Sequence, residues 1–227
     1  MMESLLDVVI QVLQTDEQEG QASLESLIEL TQSNAEIWNK CIGKLVYVCS
    51  EIMKNQSFEQ SPRQSALEII STLAEASPKI LRDQITHLQK EFFPALATMM
   101  TQVEHADDLQ LWADTPEEEI LTRNDASSIA AEALERISEH LGDKTTIACS
   151  SSLIHEAVNN KDNWQYRQAG YMFLGMIAES CSKTFKKNID DTVRMSAMGL
   201  MDEHPRVRYQ ALMALGLLLN VMSPQVQ

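Results

Sequence analysis

A block of sequence recurs along this chain at an interval of about 40 residues. Its clearest copies lie 41 residues apart: Tyr166-Arg167 with Met172, Leu174 and Gly175, against Val207-Arg208 with Met213, Leu215 and Gly216. Carried backwards, the same frame lays Arg63, Leu67 and Ile70 over Arg167, Tyr171 and Leu174, and Ala74-Glu75 over Ala178-Glu179. A period of that length without glycine-rich strand punctuation belongs to stacked helical pairs, where each pair buries the apolar face its neighbour leaves open. Such arrays present long surfaces, so function is expected on a face and not in a pocket.

The residue types agree with that reading. Among 227 residues there are only seven Gly and six Pro, and Leu, Ala, Met, Glu and Gln dominate, which favours helix throughout. The expected fold is all-α, an α-solenoid of about five antiparallel helix pairs forming a single array over residues 1–227. In each pair the first helix is A and the second B.

The first pair runs from about Glu3 to Leu13 and from about Gln18 to Thr31, with Leu5, Val8, Val9 and Val12 at helical spacing. The second runs from Ala35 to Met53 and from Pro62 to Ala76, with Ser61 as N-cap, Pro62 in the tolerated first turn and Pro78 closing it. The third runs from Pro78 to Val103, with a break near Pro94, and from Ala126 to Leu141. The fourth spans Lys144 to Asn159 and Asn163 to Ser182, and the fifth Phe185 to Met201 and Pro205 to Met222. The repeats are thus about 3–33, 35–77, 78–142, 144–182 and 185–223.

The third pair carries an insertion, residues 104–125, with Glu104, Asp107, Asp108, Asp114, Glu117, Glu118, Glu119 and Asp125 against one Arg123. Structureless loops of this length inside an array are uncommon, and are either solvated insertions or functional segments. The functional reading is an acidic strap that contacts a basic partner, with Trp112 as its anchor.

A formal charge of −15 and a pI near 4.7 argue against direct binding of nucleic acid or insertion at an anionic membrane, because phosphate binding needs clustered Lys and Arg. Basic protein partners fit, although acidity also serves solubility alone. The longest apolar stretch, Ala211 to Leu219, is too short to cross a bilayer. Cys41, Cys49, Cys149 and Cys181 form no metal-ligand spacing, and with no signal peptide visible they read as reduced, buried thiols of an intracellular protein.

Two patterns recur within the B helices. One is a turn acid followed by Arg, as in Asp162 with Arg167 and Asp202 with Arg208, joined by Arg63 in the second pair. Such an Arg can reach a turn acid of its own or the adjacent repeat, so these residues are expected to stack repeats through charge-assisted hydrogen bonds. The other aligns Glu29, Glu75, Glu139 and Glu179, with Asn220 at the fifth position. Equivalent positions of a solenoid lie side by side, so these carboxylates would form a row for Lys- and Arg-rich segments, widened by Glu132 and Glu135. The competing reading is that exposed helix faces simply favour Glu.

No catalytic constellation is present. His155-Glu156 opens an HExxH-like string, but Asn159 stands where the second His is needed. His87, His105, His140, His155 and His204 are scattered, and Met99, Met100, Met172, Met176, Met198, Met201 and Met213 read as core filler. No cofactor or metal is expected.

The strings Asn163-Trp164-Gln165-Tyr166-Arg167-Gln168-Ala169-Gly170-Tyr171-Met172, continuing to Ile177-Ala178-Glu179-Ser180-Cys181, and Asp202-Glu203-His204-Pro205-Arg206-Val207-Arg208-Tyr209 resemble consecutive repeats of importin β-type karyopherins. They are most similar to the importin β3, or importin-5-like, branch, in which the equivalent third repeat also carries an acidic, Trp-containing insertion. The resemblance implies a HEAT-repeat superhelix that shuttles between cytoplasm and nucleus, takes protein cargo with Lys/Arg-rich signals, releases it on binding Ran-GTP and meets nucleoporins. Family members are about four times longer, so the chain is expected to be an internal segment from a receptor's first half, with Met1 added or fortuitous. The family's B helices line the concave surface, which would place the acidic row where cargo and Ran bind. Asn220 replaces the acid usual there, and Ser127 stands where the third B helix would carry its Arg, so that seam is expected to be held differently. The alternative to a receptor is a HEAT scaffold that holds a complex together.

Overall fold

One residue separates the first two helices. Asp16 follows α1 (Met2–Thr15) and caps α2 (Glu17–Ser33), its carboxylate accepting the Gln18 and Glu19 amides at 3.1 Å. A link this short makes the helices antiparallel neighbours. The structure, a computed structural model describing residues 2–116, 118–119 and 124–223, repeats this arrangement along its length.

After a 3-10 turn, Ala35–Trp38, α3 (Ile42–Lys54) pairs with α4 (Gln60–Ala76). The next A element is divided into α5 (Pro78–Arg82), the single turn α6 (Ile85–His87), a π-helical turn over Leu88–Phe92 and α7 (Phe93–Met100). Within the insertion lies α8 (Leu109–Asp114), and α9 (Ala126–Leu141) completes the pair. Gly142 alone, at φ 77°, connects α9 to α10 (Asp143–Val158), a left-handed conformation that glycine adopts without strain. Then come α11 (Trp164–Met176), α12 (Ser182–Lys187), α13 (Ile189–Gly199) and α14 (Pro205–Met222). Among the described residues there is no strand.

The fold is an all-α solenoid. Its B helices, α2, α4, α9, α11 and α14, pack on one another more closely than the A helices do. The face that these B helices share is termed the inner face.

The core follows helical periodicity. In α4, Ala66, Leu67, Ile69, Ile70, Leu73 and Ala74 are buried, while Gln64, Glu68 and Glu75 lie on an accessible stripe. Trp38 is fully buried with its indole N–H donating to Thr31 Oγ1 at 2.9 Å. Phe93 and Phe173, with ring centroids 5.6 Å apart, join the third pair to the fourth. At Gly170 a Cβ would come within 2.8 Å of Ala157 Cβ, so α10 and α11 cross where only glycine fits. All four cysteines are buried, and burial pushes the Cys49 thiol up to about 12, which keeps it protonated and unreactive.

The expected A helices Ala35–Met53 and Phe185–Met201 are each interrupted, at residues 39–41 and at Asn188, and three further boundaries differ from expectation. Helix α4 begins at Gln60 after Glu59, so Ser61 sits inside the first turn and is not the N-cap. The Glu59 amide instead donates to the Glu17 carboxylate of the preceding pair at 2.6 Å. The third A element breaks before Pro94, at Asp83 and through the π-turn, with Pro94 in the first turn of α7. A proline lacks the N–H and crowds the carbonyl a turn earlier, and the wider π-turn accommodates both effects. Helix α11 stops at Met176, and residues 177–181 continue as turns, so Glu179 stands beyond the helix end.

Arginines at the shared frame position stitch the pairs together. Arg63 and Arg167 are both buried. Arg63 donates to the Met53 carbonyl of its own A helix and to Gln102 in the next pair, at 3.0 and 2.6 Å. Arg167 donates to the Asn160 carbonyl at 3.0 Å and grips Asp202 of the next turn at 2.6 and 2.9 Å. It makes no ion pair with Asp162, which is exposed. Burial works against the Asp202 carboxylate, but Arg167 and the His204 amide hold it below the usual carboxylate range. Arg208 turns back to the Asp202 and Glu203 carbonyls, at 2.8 and 3.0 Å. In the third pair Ser127 Oγ donates to the Met100 carbonyl at 2.9 Å, taking over the link to its own A helix, while Arg82 donates to the Leu141 carbonyl at 3.0 Å.

Candidate functional site

The inner face has two unlike halves. Toward α2 and α4 it is polar: a cavity of about 360 Å³ is lined by Gln64, Glu68, Asn124, Glu132 and Arg136, among others. Toward α11 and α14 it is apolar, with a cleft of about 210 Å³ between Val103, Trp112, Ala131, Met172, Met176, Met213 and Leu217. Glu132 borders both, so the two form one continuous surface across the B helices.

Glu29, Glu75, Glu132, Glu135, Glu139 and Glu179 are all exposed. On α9, Glu132 and Glu139 are two turns apart on the stripe that also carries Arg136. Glu179 is exposed three positions after the cleft residue Met176, in the turn that follows α11.

Glu75 differs from its counterparts because it is engaged within the chain. Arg136 donates to Glu75 Oε1 from Nε at 2.9 Å and from a terminal nitrogen at 2.6 Å, and it grips both oxygens of Glu68 at 3.0 and 3.1 Å. The two glutamates keep the guanidinium firmly protonated, Glu68 most of all. Neither Glu68 nor Arg136 stands out in a repeat alignment. Their pairing spans 68 residues of sequence, and only the packing of α4 on α9 brings them together.

The methionines divide by position. Met99 and Met100 are core. Met172, Met176 and Met213 line the cleft, and Met198 and Met201 are exposed, at 60% and 85%, so five of these seven are not the core filler expected of them. Flexible thioethers on a surface cleft adapt to varied apolar groups. Gln168, buried and with Oε1 unbonded, also lines the cleft.

The insertion closes one side of that cleft. Trp112 meets Tyr209 edge-on at 5.8 Å, and the Arg206 guanidinium lies 5.4 Å from the Trp112 ring and 5.6 Å from that of Trp164. His204 stacks on Trp164 at 3.8 Å. Arg206 also donates to the Glu104 and His105 carbonyls at 2.8 and 3.1 Å, fixing the start of the insertion. At its far end Asp125 caps α9 by accepting the Ser128 amide at 2.7 Å. Trp112 does anchor the strap, but to α14 of the same chain. Asp107, Asp108, Asp114, Glu118 and Glu119 are exposed along it, whereas Glu117 and Arg123 lie outside the described residues.

An importin-repeat family profile matches residues 55–148 and a HEAT-like repeat profile matches residues 164–218. Importin subunit beta-3 of Saccharomyces cerevisiae is 27% identical over the whole chain, and mouse Importin-4 is 22% identical over 98% of it. The chain spans 21% of the length of each. Among solved structures, Kap121p bound to RanGTP and Kap121p bound to Pho4p each superimpose with a TM-score of 0.89 at 26% identity, over 99% of this chain and 22% of theirs. Kap121p bound to Nup53p superimposes as well, at 25% identity over the same shares. With its paired helices and repeat-to-repeat arginines, the chain is an importin-β karyopherin segment built of HEAT repeats, similar over its whole length to Importin subunit beta-3.

Proposed function

We propose that this segment forms part of a nuclear transport receptor and that its inner face captures Lys/Arg-rich segments of protein cargo. The observation that carries the reading is the exposed set Glu132, Glu135, Glu139 and Glu179 on or just after the B helices, with Glu132 at the edge of an adaptable apolar cleft. Extended basic peptides suit such a surface, since each cation meets a carboxylate one repeat along while aliphatic portions lie on the methionines. Relatives solved with RanGTP, Pho4p and Nup53p support the receptor role. In the receptor, Ran-GTP binding changes the superhelical pitch and releases cargo, nucleoporins are further partners, and the protein shuttles between cytoplasm and nucleus.

Fluorescence anisotropy of a labelled Lys/Arg-rich peptide, titrated with the chain at low and at physiological salt, tests this reading. Saturable binding that weakens with salt and disappears in Glu139→Lys/Glu179→Lys is expected. Absence of binding even at low salt would refute it.

A further inference from the structure

Resting on that reading, we infer that Arg136 is a specificity-determining residue: an internal ligand that occupies the row at the second pair and confines basic peptides to the stations of the third and fourth. Its guanidinium reaches from α9 across to α4 and makes four hydrogen bonds with Glu68 and Glu75, at 2.6 to 3.1 Å. That is the contact an arginine of a bound peptide would make, supplied by the chain itself.

The consequence follows from competition. A peptide cation can use Glu68 and Glu75 only by displacing a guanidinium tethered beside them, whose effective concentration exceeds that of any free peptide. Displacement would also leave Arg136 among Glu132, Glu135 and Glu139 of its own helix, where it would neutralise the neighbouring station. The exposure of all three partners, with side chains 39% to 43% accessible, distinguishes this contact from a structural stitch. Arg167, by contrast, is 9% accessible in its grip on Asp202. Arg136 therefore divides the acidic row, leaving the part from Glu132 to Glu179 to set the register and useful length of the peptide.

Two labelled peptides test the assignment on the whole chain. The short one carries a single Lys/Arg cluster, and the long one adds a second cluster through a Gly/Ser linker able to span one repeat. Wild type should bind both within about twofold, whereas R136Q should bind the long peptide about tenfold tighter than the short one, because a second station has opened within tether reach. The gain should vanish in R136Q/E68Q/E75Q. Taking the ratio of the two peptides removes the general increase in attraction caused by losing a positive charge. R136K keeps the charge but not the planar fork, and should give an intermediate ratio; it serves as the readout if R136Q fails to fold. A wild type that already favours the long peptide tenfold, or an R136Q ratio equal to the wild-type ratio, overturns the inference while salt-sensitive binding of the short peptide leaves the proposed function standing. Failure of both peptides to bind any variant overturns both.

Discussion

Arg167 and Arg136 each hold carboxylates of a neighbouring pair in a two-pronged grip, but they sit in opposite environments. Arg167 is shielded and tied to the Asn160 carbonyl in the turn of its own pair, so its bond to Asp202 fixes how the fourth pair meets the fifth. Arg136 lies in the open on the inner face, between two accessible glutamates. The same chemistry serves to stitch repeats where water is excluded and to tune a binding surface where it is not, because solvent screens the exposed pair and leaves it displaceable.

The comparison breaks if the two arginines respond alike. Arg167→Ala should be the most damaging change, lowering unfolding free energy by about 3 kcal/mol, since it strands Asp202 in a buried position. Chemical denaturation followed by circular dichroism measures this, and R167A/D202N should recover part of the loss. Next in size, Trp112→Ala should cost about 1–2 kcal/mol by removing the contacts with Tyr209 and Arg206. It should also speed proteolysis of the insertion while leaving α1 to α4 equally protected from hydrogen exchange. Arg136→Gln should cost at most about 1 kcal/mol, as exposed pairs do; a loss as large as that of R167A would make it a stitch after all.

The smallest effect expected is that of pH. Burial, and then Arg206, hold His204 below its ordinary value of 6.5. The unfolded chain therefore takes up a proton first as pH falls, so the stabilisation is fully present above pH 6.5 and is lost as pH drops through the folded value. Thermal unfolding should become easier between pH 7 and 5.5, and His204→Gln should flatten that slope.

Much of the fold is legible in sequence because a period of 41 residues and helical spacing are local signals. Helical pairing, the exposure of Glu139 and Glu179, and the burial of Leu67 or Leu174 all follow from position within a repeat. What sequence hides is contact at a distance. The pairing of Arg136 with Glu68, the seat of Trp112 on Tyr209 97 residues later, and the replacement of the missing Arg by Ser127 and Arg82 depend on how neighbouring repeats face one another. Met172, Met176 and Met213 mislead for a related reason: their spacing is that of a buried stripe, but the stripe lines a cleft between B helices. The break ahead of Pro94 falls early because the backbone answers a proline in the preceding turn.

The most direct test of the inner-face account uses those methionines as reporters. In a methyl-labelled NMR titration with a Lys/Arg-rich peptide, the ε-methyl signals of Met172, Met176 and Met213 should shift saturably, while those of core Met99 and Met100 and of exposed Met198 and Met201 stay in place. Shifts confined to Met198 and Met201, or spread evenly over all seven, would contradict binding on the inner face.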